Sequence, residues 1–191
     1  KLKFHHRRLY PVRTFVAAAV VLLCLSVWAA YLYMQPASIQ TVTTLAETRT
    51  ILLPDGTSVT LNHYSSLSYP KQFKSDNREV ELSGEAYFEV TRNEEIPFKV
   101  HTEELDVKVL GTKFNFRNYK DDLEAKVCLL EGKVALNTRQ KETILPPDQQ
   151  ALLDKKTGKL FVSGTKAAYS AEWTNDRLYF CLLYTSDAAD E

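Results

Sequence analysis

The sequence feature that most constrains the fold is a strict alternation of apolar and polar residues over residues 78–90. The apolar parity holds Val80, Leu82, Ala86, Phe88 and Val90, and the opposite parity holds Glu79, Glu81, Glu85, Tyr87 and Glu89. Successive side chains of a β-strand point to opposite faces, so the pattern predicts a long strand with one buried face. The glutamates, Glu85 included, are therefore expected on a solvated face and not as the paired carboxylates of a glycosidase.

Similar alternation recurs along the rest of the chain, and turn residues separate the runs. The apolar positions of these runs are Leu105, Val107, Val109, Phe114, Phe116, Leu123, Ala125, Val127, Leu129, Val134 and Leu136. Residues 54–56 and 155–158 favour hairpins, and a change of parity at residues 111–112 indicates a bulge or turn. No helical period competes between residues 48 and 163. This segment is predicted to be an all-β domain of short antiparallel strands, either a sandwich or a β-solenoid-like stack of strand turns.

Residues 14–34 form an uncharged, mostly apolar segment of 21 positions. At ~1.5 Å per residue a helix of this length spans a hydrocarbon core of ~30 Å, so the segment predicts one transmembrane α-helix. Five basic residues lie within residues 1–13, and the first acidic residue is Glu47. This asymmetry predicts a cytoplasmic N-terminus. The alternative is a cleaved signal peptide, but its apolar region is shorter and Trp28 would occupy a cleavage position that favours small residues.

The segments outside the helix and the β body are predicted from composition. Residues 1–13 are a basic cytoplasmic stub, and residues 35–47 are a tether that contains Pro36. Residues 164–180 are predicted to be a linker toward a C-terminal domain that is missing here. The chain begins with Lys1 and ends in residues 181–191, which are typical of translated adapter sequence. We therefore expect both ends to be incomplete and the last segment to be a sequencing artefact.

Composition and spacing favour no catalytic or metal site. Because five of the 24 basic residues lie within residues 1–13, acidic residues outnumber basic ones in the rest of the chain, which disfavours a nucleic-acid-binding body. His63 and His101 lack metal-ligand spacing, and Cys128 has no histidine near it in sequence. No phosphate-binding glycine motif occurs. The predictions are no catalytic residue, no metal and no cofactor.

Six motifs carry a family resemblance through their fixed order. They are LPDGT at 53–57, VTLN at 59–62, REVELSGEAYFEV at 78–90, PFKV at 97–100, VKVLGTKFNF at 107–116 and LEGKV at 130–134. Together they resemble the sensor domain of the FecR family of transmembrane anti-sigma regulators. The resemblance assigns structural, family-motif roles to Pro54, Asp55, Gly56, Gly84, Glu85, Phe88, Pro97, Phe98, Gly111, Thr112, Phe114 and Gly132.

The resemblance implies a single-pass inner-membrane protein whose N-terminus is cytoplasmic and whose β domain is periplasmic and solenoid-like. Its implied function is that of an anti-sigma factor without enzymatic activity. It would relay a signal from a TonB-dependent outer-membrane transporter to a cytoplasmic extracytoplasmic-function sigma factor. Both partners are expected to bind modules that lie outside this sequence, and neither a nucleic acid nor a small-molecule substrate is expected.

Two other classes of function remain open at the level of sequence. A membrane-tethered carbohydrate-binding or adhesive β module would be favoured by an exposed aromatic platform made from Tyr64, Tyr69, Phe73 or Tyr87. An envelope hydrolase would require a cleft with convergent carboxylates.

Overall fold

The computed structural model describes residues 12–33, 38–74, 76–138, 141–164 and 173–174. The chain divides into two compact units, Lys1–Ala37 and Ser38–Glu191. The first unit contains α1 (Val12–Tyr33), so the sequence correctly predicts a helix there. Within the described residues, however, no helix has both the length and the apolar character that a membrane crossing requires. The transmembrane helix predicted over residues 14–34 is thus not found.

The second unit is a β domain in which thirteen strands are described. They are β1 (Ile39–Thr43), β2 (Arg49–Leu52), β3 (Ser58–Leu61), β4 (Ser66–Pro70), β5 (Arg78–Glu89), β6 (Phe98–His101), β7 (Asp106–Val109), β8 (Lys113–Asn118), β9 (Glu124–Glu131), β10 (Val134–Asn137), β11 (Glu142–Leu145), β12 (Gln149–Asp154) and β13 (Leu160–Gly164).

These strands form two sheets that share β5. The first sheet has the order β1-β4-β5-β6-β7-β10-β11, and the second has the order β2-β3-β5-β8-β9-β12-β13. Residues 78–83 of β5 pair with β4 and β6, whereas residues 84–89 pair with β3 and β8. The strand that the alternation predicts therefore belongs to both sheets.

Strand direction distinguishes the two predicted architectures. The described pairs are antiparallel except for the parallel pair of β5 and β6. Stacked turns of a parallel solenoid would instead place parallel strands side by side. The predicted hairpins at residues 54–56 and 155–158 connect β2 to β3 and β12 to β13. The prediction of short antiparallel strands is confirmed. The described strands do not form a solenoid of parallel strand turns.

One apolar core lies within the β domain and receives side chains from both sheets. Five residues on the apolar parity of their runs belong to it, as predicted: Leu82, Phe88, Val109, Phe114 and Val134. The rings of Phe88 and Phe114 stack with their centroids 4.9 Å apart. Burying each such side chain contributes roughly 1.5 to 3 kcal/mol, so this cluster is a principal source of stability.

Two predictions about the edges of the body need correction. Residues 39–43, predicted to be part of a tether, form β1 and pair with β4. Leu123, predicted to share the buried parity of Ala125 and Val127, is exposed because it precedes β9 and lies outside the strand. Residues 1–11 and 181–191, and most of the predicted linker at 164–180, lie outside the described residues.

Candidate functional site

The chain of β5 passes from the first sheet to the second at Gly84. This residue has a φ of +102°, which favours glycine, and a Cβ there would lie 2.4 Å from Ser65 Oγ and 2.8 Å from Ser65 Cα. The loop at residues 62–65 therefore packs directly against the strand. We name this point the β5 junction, and it comprises Thr44, Asn62, Ser65, Gly84, Glu85, Asn115, Arg117 and Tyr119.

Glu85 is the central charged group of the β5 junction, and it is buried. Its carboxylate accepts hydrogen bonds from Asn115 Nδ2 at 2.7 Å and from Asn62 Nδ2 at 3.0 Å. Arg117 Nη1 lies 3.5 Å from Glu85 Oε2. The prediction of a solvated Glu85 is wrong, because the two amide donors and the guanidinium replace water around a charge that would otherwise be costly to bury.

Arg117 and Tyr119 close the outer side of the β5 junction. Arg117 Nε donates to Asp122 Oδ2 at 2.9 Å, and its guanidinium carbon lies 4.9 Å from the centre of the Tyr119 ring. Burial lowers the pKa of Arg117, but the hydrogen bond to Asp122 and the charges of Glu85 and Asp122 outweigh it and raise the pKa. Burial also raises the pKa of Tyr119, so its hydroxyl stays protonated and donates to His63 O at 2.8 Å.

Thr44, the residue after β1, joins the N-terminal edge of the domain to the β5 junction. It is buried, and its backbone N–H donates to Ser65 O at 2.8 Å. Its hydroxyl donates to Asn62 O and accepts a hydrogen bond from the Ser65 N–H at 3.0 Å. Ser65 Oγ in turn accepts from the Glu85 N–H at 2.9 Å. A continuous hydrogen-bonded path thus leads from β1 to the shared strand.

A second polar cluster surrounds Arg78 at the beginning of β5, and we name it the Arg78 clamp. The buried guanidinium donates to Asp55 Oδ2 at 3.1 Å, and Asp55 also accepts from the backbone N–H and hydroxyl of Thr57. The remaining donors of Arg78 reach backbone carbonyls of Thr91, Asn93 and Ile96. The clamp holds the 54–56 turn and the segment before β6 against β5.

Gly111 and Gly132, from the motifs at 107–116 and 130–134, lie where the chain crosses between the sheets. A Cβ on Gly111 would lie 2.6 Å from Arg92 Cα, and one on Gly132 would lie 2.9 Å from Gly111 O. Thr112 Oγ1 donates to Lys133 O at 3.0 Å. The change of parity predicted at residues 111–112 therefore corresponds to a crossing from β7 to β8, which packs against the crossing from β9 to β10.

The other family-motif residues lie in the hairpin or the core. Pro54 and Gly56 belong to the turn between β2 and β3, and Gly56 has a φ of +82°. Phe98 is fully buried below the Arg78 guanidinium, whose carbon lies 5.8 Å from the ring centre, and Pro97 precedes it at the start of β6. These residues position backbone and packing, and they do not converge on a single cleft.

The histidines considered as metal ligands lie in separate hydrogen-bonded pairs. His63 Nδ1 lies 2.7 Å from Asn62 Oδ1, and His101 Nδ1 lies 3.0 Å from Asp106 Oδ1. Over the described ranges, no group of three or more His, Cys, Asp or Glu side chains is arranged to hold a metal ion. Cys128 is buried, with its Sγ 3.9 Å from Gln150 Oε1.

The four aromatic residues that would favour carbohydrate binding do not share one exposed surface. Tyr64 is exposed, whereas Tyr69 and Phe73 pack against the core. Tyr87 is half-buried, and burial together with the nearby Glu89 charge raises its pKa to about 12. A stacking platform needs several exposed rings on one face. These four positions provide one exposed ring, Tyr64, and therefore do not form such a platform.

A small polar cleft of about 390 Å³ lies between three loops of the domain. Its walls include Glu103, Glu104, Asp154 and Lys155. Glu104 accepts a hydrogen bond from Asn118 Nδ2 at 2.9 Å, and Asp154 accepts from the Thr157 N–H, which lowers the pKa of Asp154. Two of its three carboxylates are therefore occupied by structural contacts, unlike the convergent acid and nucleophile of a hydrolase.

Several residues of these clusters carry no recognisable signal in the sequence. Thr44, Ser65 and Asn115 are common surface residue types, and their partners are distant in the chain. Arg78 opens the alternating run, yet its parity alone does not distinguish a buried arginine from an exposed one. Gly84 is a local signal for the β5 junction, because a glycine inside a strand often marks a close approach of another backbone.

Comparison with known proteins shows a family and a fold. The family described as FecR protein matches residues 40–135, which contain both the Arg78 clamp and the β5 junction. Two crystal structures of a candidate anti-sigma factor from Parabacteroides distasonis ATCC 8503, at 2.50 and 1.65 Å, each align with a TM-score of 0.72. Their sequence identities are 35% and 36%, and the alignments cover 75% and 74% of this chain and 68% and 67% of those chains. No curated protein matches this chain.

Proposed function

The chain belongs to the FecR protein family, and on this premise we propose that it acts as an anti-sigma factor. Such a regulator keeps a sigma factor from directing transcription until a signal changes its conformation. The observation that carries the proposal is the similarity to the Parabacteroides distasonis candidate anti-sigma factor, at 36% identity over 74% of this chain.

The organisation of the β domain supports a regulatory role. Its buried polar groups bond to one another and to backbone atoms at the β5 junction and the Arg78 clamp, so they fix relative positions of segments. A conformational signal requires such defined contacts, because a signal changes the balance between two arrangements of the same groups. We therefore propose a signal transducer without enzymatic activity.

The test is a transcription assay with the intact gene product. Co-expression with its cognate sigma factor should lower transcription from a promoter that depends on that factor, and the two proteins should co-purify. An unrelated sigma factor is the control and should direct transcription at an unchanged rate. Unchanged transcription and no co-purification with any sigma factor would contradict the proposal.

We also propose that the β domain lies in the periplasm and relays a signal from a TonB-dependent outer-membrane transporter to an extracytoplasmic-function sigma factor. The family membership supports this placement, because the sensor domain that the chain resembles is periplasmic. Alkaline phosphatase fused after Gly164 should be active, because this reporter requires export from the cytoplasm. An inactive fusion together with an active cytoplasmic reporter at the same site would contradict the location.

The transporter is tested separately from the location. Deleting the transporter should abolish induction of the sigma-dependent promoter while leaving basal repression intact. Normal induction in the deletion strain would exclude the transporter as the source of the signal and would leave the anti-sigma role standing.

A further inference from the structure

The edge strand β1 (Ile39–Thr43) is attached to the β domain by backbone pairing and by few side-chain contacts. Among the described residues it pairs with β4 alone, over five residue pairs from Ile39 opposite Pro70 to Thr43 opposite Ser66. Its side chains are exposed except for Val42, which is half-buried. A strand that buries so little apolar surface is among the first to open, since local opening costs the free energy of the contacts it breaks.

Thr44 has the opposite character although it follows β1 directly. Its backbone and hydroxyl make hydrogen bonds to Asn62 O and to both the N–H and the C=O of Ser65. The same Ser65 hydroxyl accepts from the Glu85 N–H, and the loop is further held by the Tyr119 hydroxyl at His63 O. A weakly packed strand thus ends in a buried group that touches the point where the two sheets meet.

β1 and Thr44 lie between α1 and the rest of the β domain in the chain. β1 is the first strand after α1, so a change transmitted along the chain between α1 and the β domain passes through β1 and Thr44. Releasing Thr44 would remove hydrogen-bond partners from residues 62–65 and so alter the support of Gly84 and Glu85. Conversely, a change at the β5 junction would loosen Thr44.

We propose that β1 and Thr44 form a strap, defined as residues 39–44, which detaches as one unit from β4 and residues 62–65 while both sheets stay folded. We propose further that this detachment is the conformational change by which the β domain signals. The second statement rests on the proposed anti-sigma function, whereas the first does not.

Hydrogen exchange of the purified chain tests the strap itself. The hydrogen-bonded amides of residues 39–44 should exchange together, well before those of β3 and β5, because the strap opens without global unfolding. Thr44→Val removes the hydroxyl at nearly constant volume and should speed exchange of the strap by about tenfold or more. Thr50→Val is the control, because Thr50 lies on the edge strand β2 and its Oγ1 makes an exposed contact of 3.0 Å with Thr60 Oγ1 on β3.

Each result of this experiment decides the proposal. Faster exchange confined to the strap in Thr44→Val, with the strap unchanged in Thr50→Val, supports it. Exchange of the strap at the same rate as β3 and β5 in the unmodified chain would overturn it, and so would a Thr44→Val effect that is equal in all strands.

A disulfide across β1 and β4 tests the signalling role. Thr41 and Ser68 are directly opposed, with their hydroxyl oxygens 2.9 Å apart, and directly opposed antiparallel residues have Cα separations of about 4.5 to 5.5 Å, which a disulfide accepts. The Thr41→Cys/Ser68→Cys variant should therefore close the strap when oxidised. The Thr50→Cys/Thr60→Cys variant places an equivalent disulfide between β2 and β3 as the control.

Both variants would be made in the intact gene product with Cys24→Ser, and induction of the sigma-dependent promoter would be measured. Oxidation should block induction only in the strap variant, and reduction should restore it. Normal induction with the strap disulfide formed would overturn the signalling role but not the strap. If the unmodified protein does not repress the sigma factor, the proposed function is refuted instead. The hydrogen-exchange result does not depend on that function and still tests the strap.

Discussion

Two carboxylate–arginine pairs of the β domain differ in which partner is the more buried: the arginine in the Arg78 clamp and the carboxylate at the β5 junction. In the Arg78 clamp Arg78 is buried and Asp55 is nearly so, with side-chain exposures of 5% and 11%. At the β5 junction only the carboxylate is buried, with exposures of 8% for Glu85 and 45% for Arg117. In each pair the more buried charge receives most of its hydrogen bonds from neutral groups, which are carbonyls around Arg78 and side-chain amides around Glu85.

This difference indicates what each cluster does for the fold. The carbonyls around Arg78 belong to residues 91–96, which connect β5 to β6, so the buried cation organises a segment that lacks a described strand. The amides around Glu85 come from Asn62, just after β3, and Asn115 in β8, so the buried anion joins elements on both sides of β5. In each pair, removing the more buried charge should therefore cost more than removing its partner.

The largest effect is expected from Arg78→Met, which keeps the length and apolar stem of the side chain but removes its donors. Asp55 would remain mostly shielded from solvent without its cation, and several carbonyls would lose their partner. Breaking a buried ion pair in this way costs about 3 to 5 kcal/mol, measured as the free energy of unfolding in urea. Arg92→Met is the control, because the Arg92–Glu94 pair is exposed and should contribute less than about 1 kcal/mol. Equal losses for both variants would refute the distinction between buried and exposed pairs.

A smaller loss is expected from Glu85→Gln. The new amide nitrogen would face the donor groups of Asn62 or Asn115, so one hydrogen bond would be lost and a donor left without an acceptor. The cost of such an unsatisfied buried group is about 1 to 3 kcal/mol. Glu89→Gln should be nearly silent, because Glu89 is exposed in the same strand. A silent Glu85→Gln would show that the polar contacts of the β5 junction are dispensable.

The comparison also shows how far the sequence could lead. Alternation over residues 78–90 predicted β5, its buried parity and the burial of Phe88, since side-chain direction in a strand follows from local backbone geometry. The same parity misplaced Glu85, whose amide partners lie 23 and 30 residues away in the chain. No local pattern states that two asparagines will meet a particular carboxylate. The double membership of β5 was likewise hidden, because strand pairing is decided between distant segments.

Turn positions were easier to predict from the sequence than the polar clusters, because a turn depends on the backbone preferences of its own residues. The 54–56 turn is encoded by Pro54 and Gly56, whose own backbone preferences favour that conformation. The contact of Asp55 with Arg78 depends on how β5 packs against the hairpin, and so does the burial of Arg78. The sequence thus predicted the turn through which the clamp acts but not the clamp itself.

Arg117→Met removes the more exposed partner of the Glu85–Arg117 pair and can be compared with Glu85→Gln. Glu85 would keep both amide donors, and water can reach the position that the guanidinium leaves, so we expect a loss of about 1 kcal/mol or less. This should be smaller than the loss in Glu85→Gln, and urea unfolding of the two variants under the same conditions would give the order. A larger loss in Arg117→Met would mean that the contacts of the guanidinium with Glu85, Asp122 and Tyr119 together stabilise the β5 junction more than the amides of Asn62 and Asn115 do.

The smallest effect concerns Glu79, an ion pair with no buried member. Glu79 Oε1 lies 2.7 Å from Lys99 Nζ, and the hydrogen bond from Lys99 is the main cause that lowers the pKa of Glu79 from its ordinary value of 4.5. A carboxyl whose folded pKa is lowered stabilises the fold above its unfolded pKa, and this contribution is lost as the pH falls through the folded pKa. Glu79→Gln should therefore cost less than about 1 kcal/mol at pH 7, and the difference from the unmodified chain should shrink progressively below pH 4.5. Urea unfolding at pH 7 and at several lower pH values would measure it, with Glu81→Gln as the exposed neighbour for control. A difference that grows below pH 4.5 would show that Glu79 is stabilised as the neutral acid, contrary to its contact with Lys99.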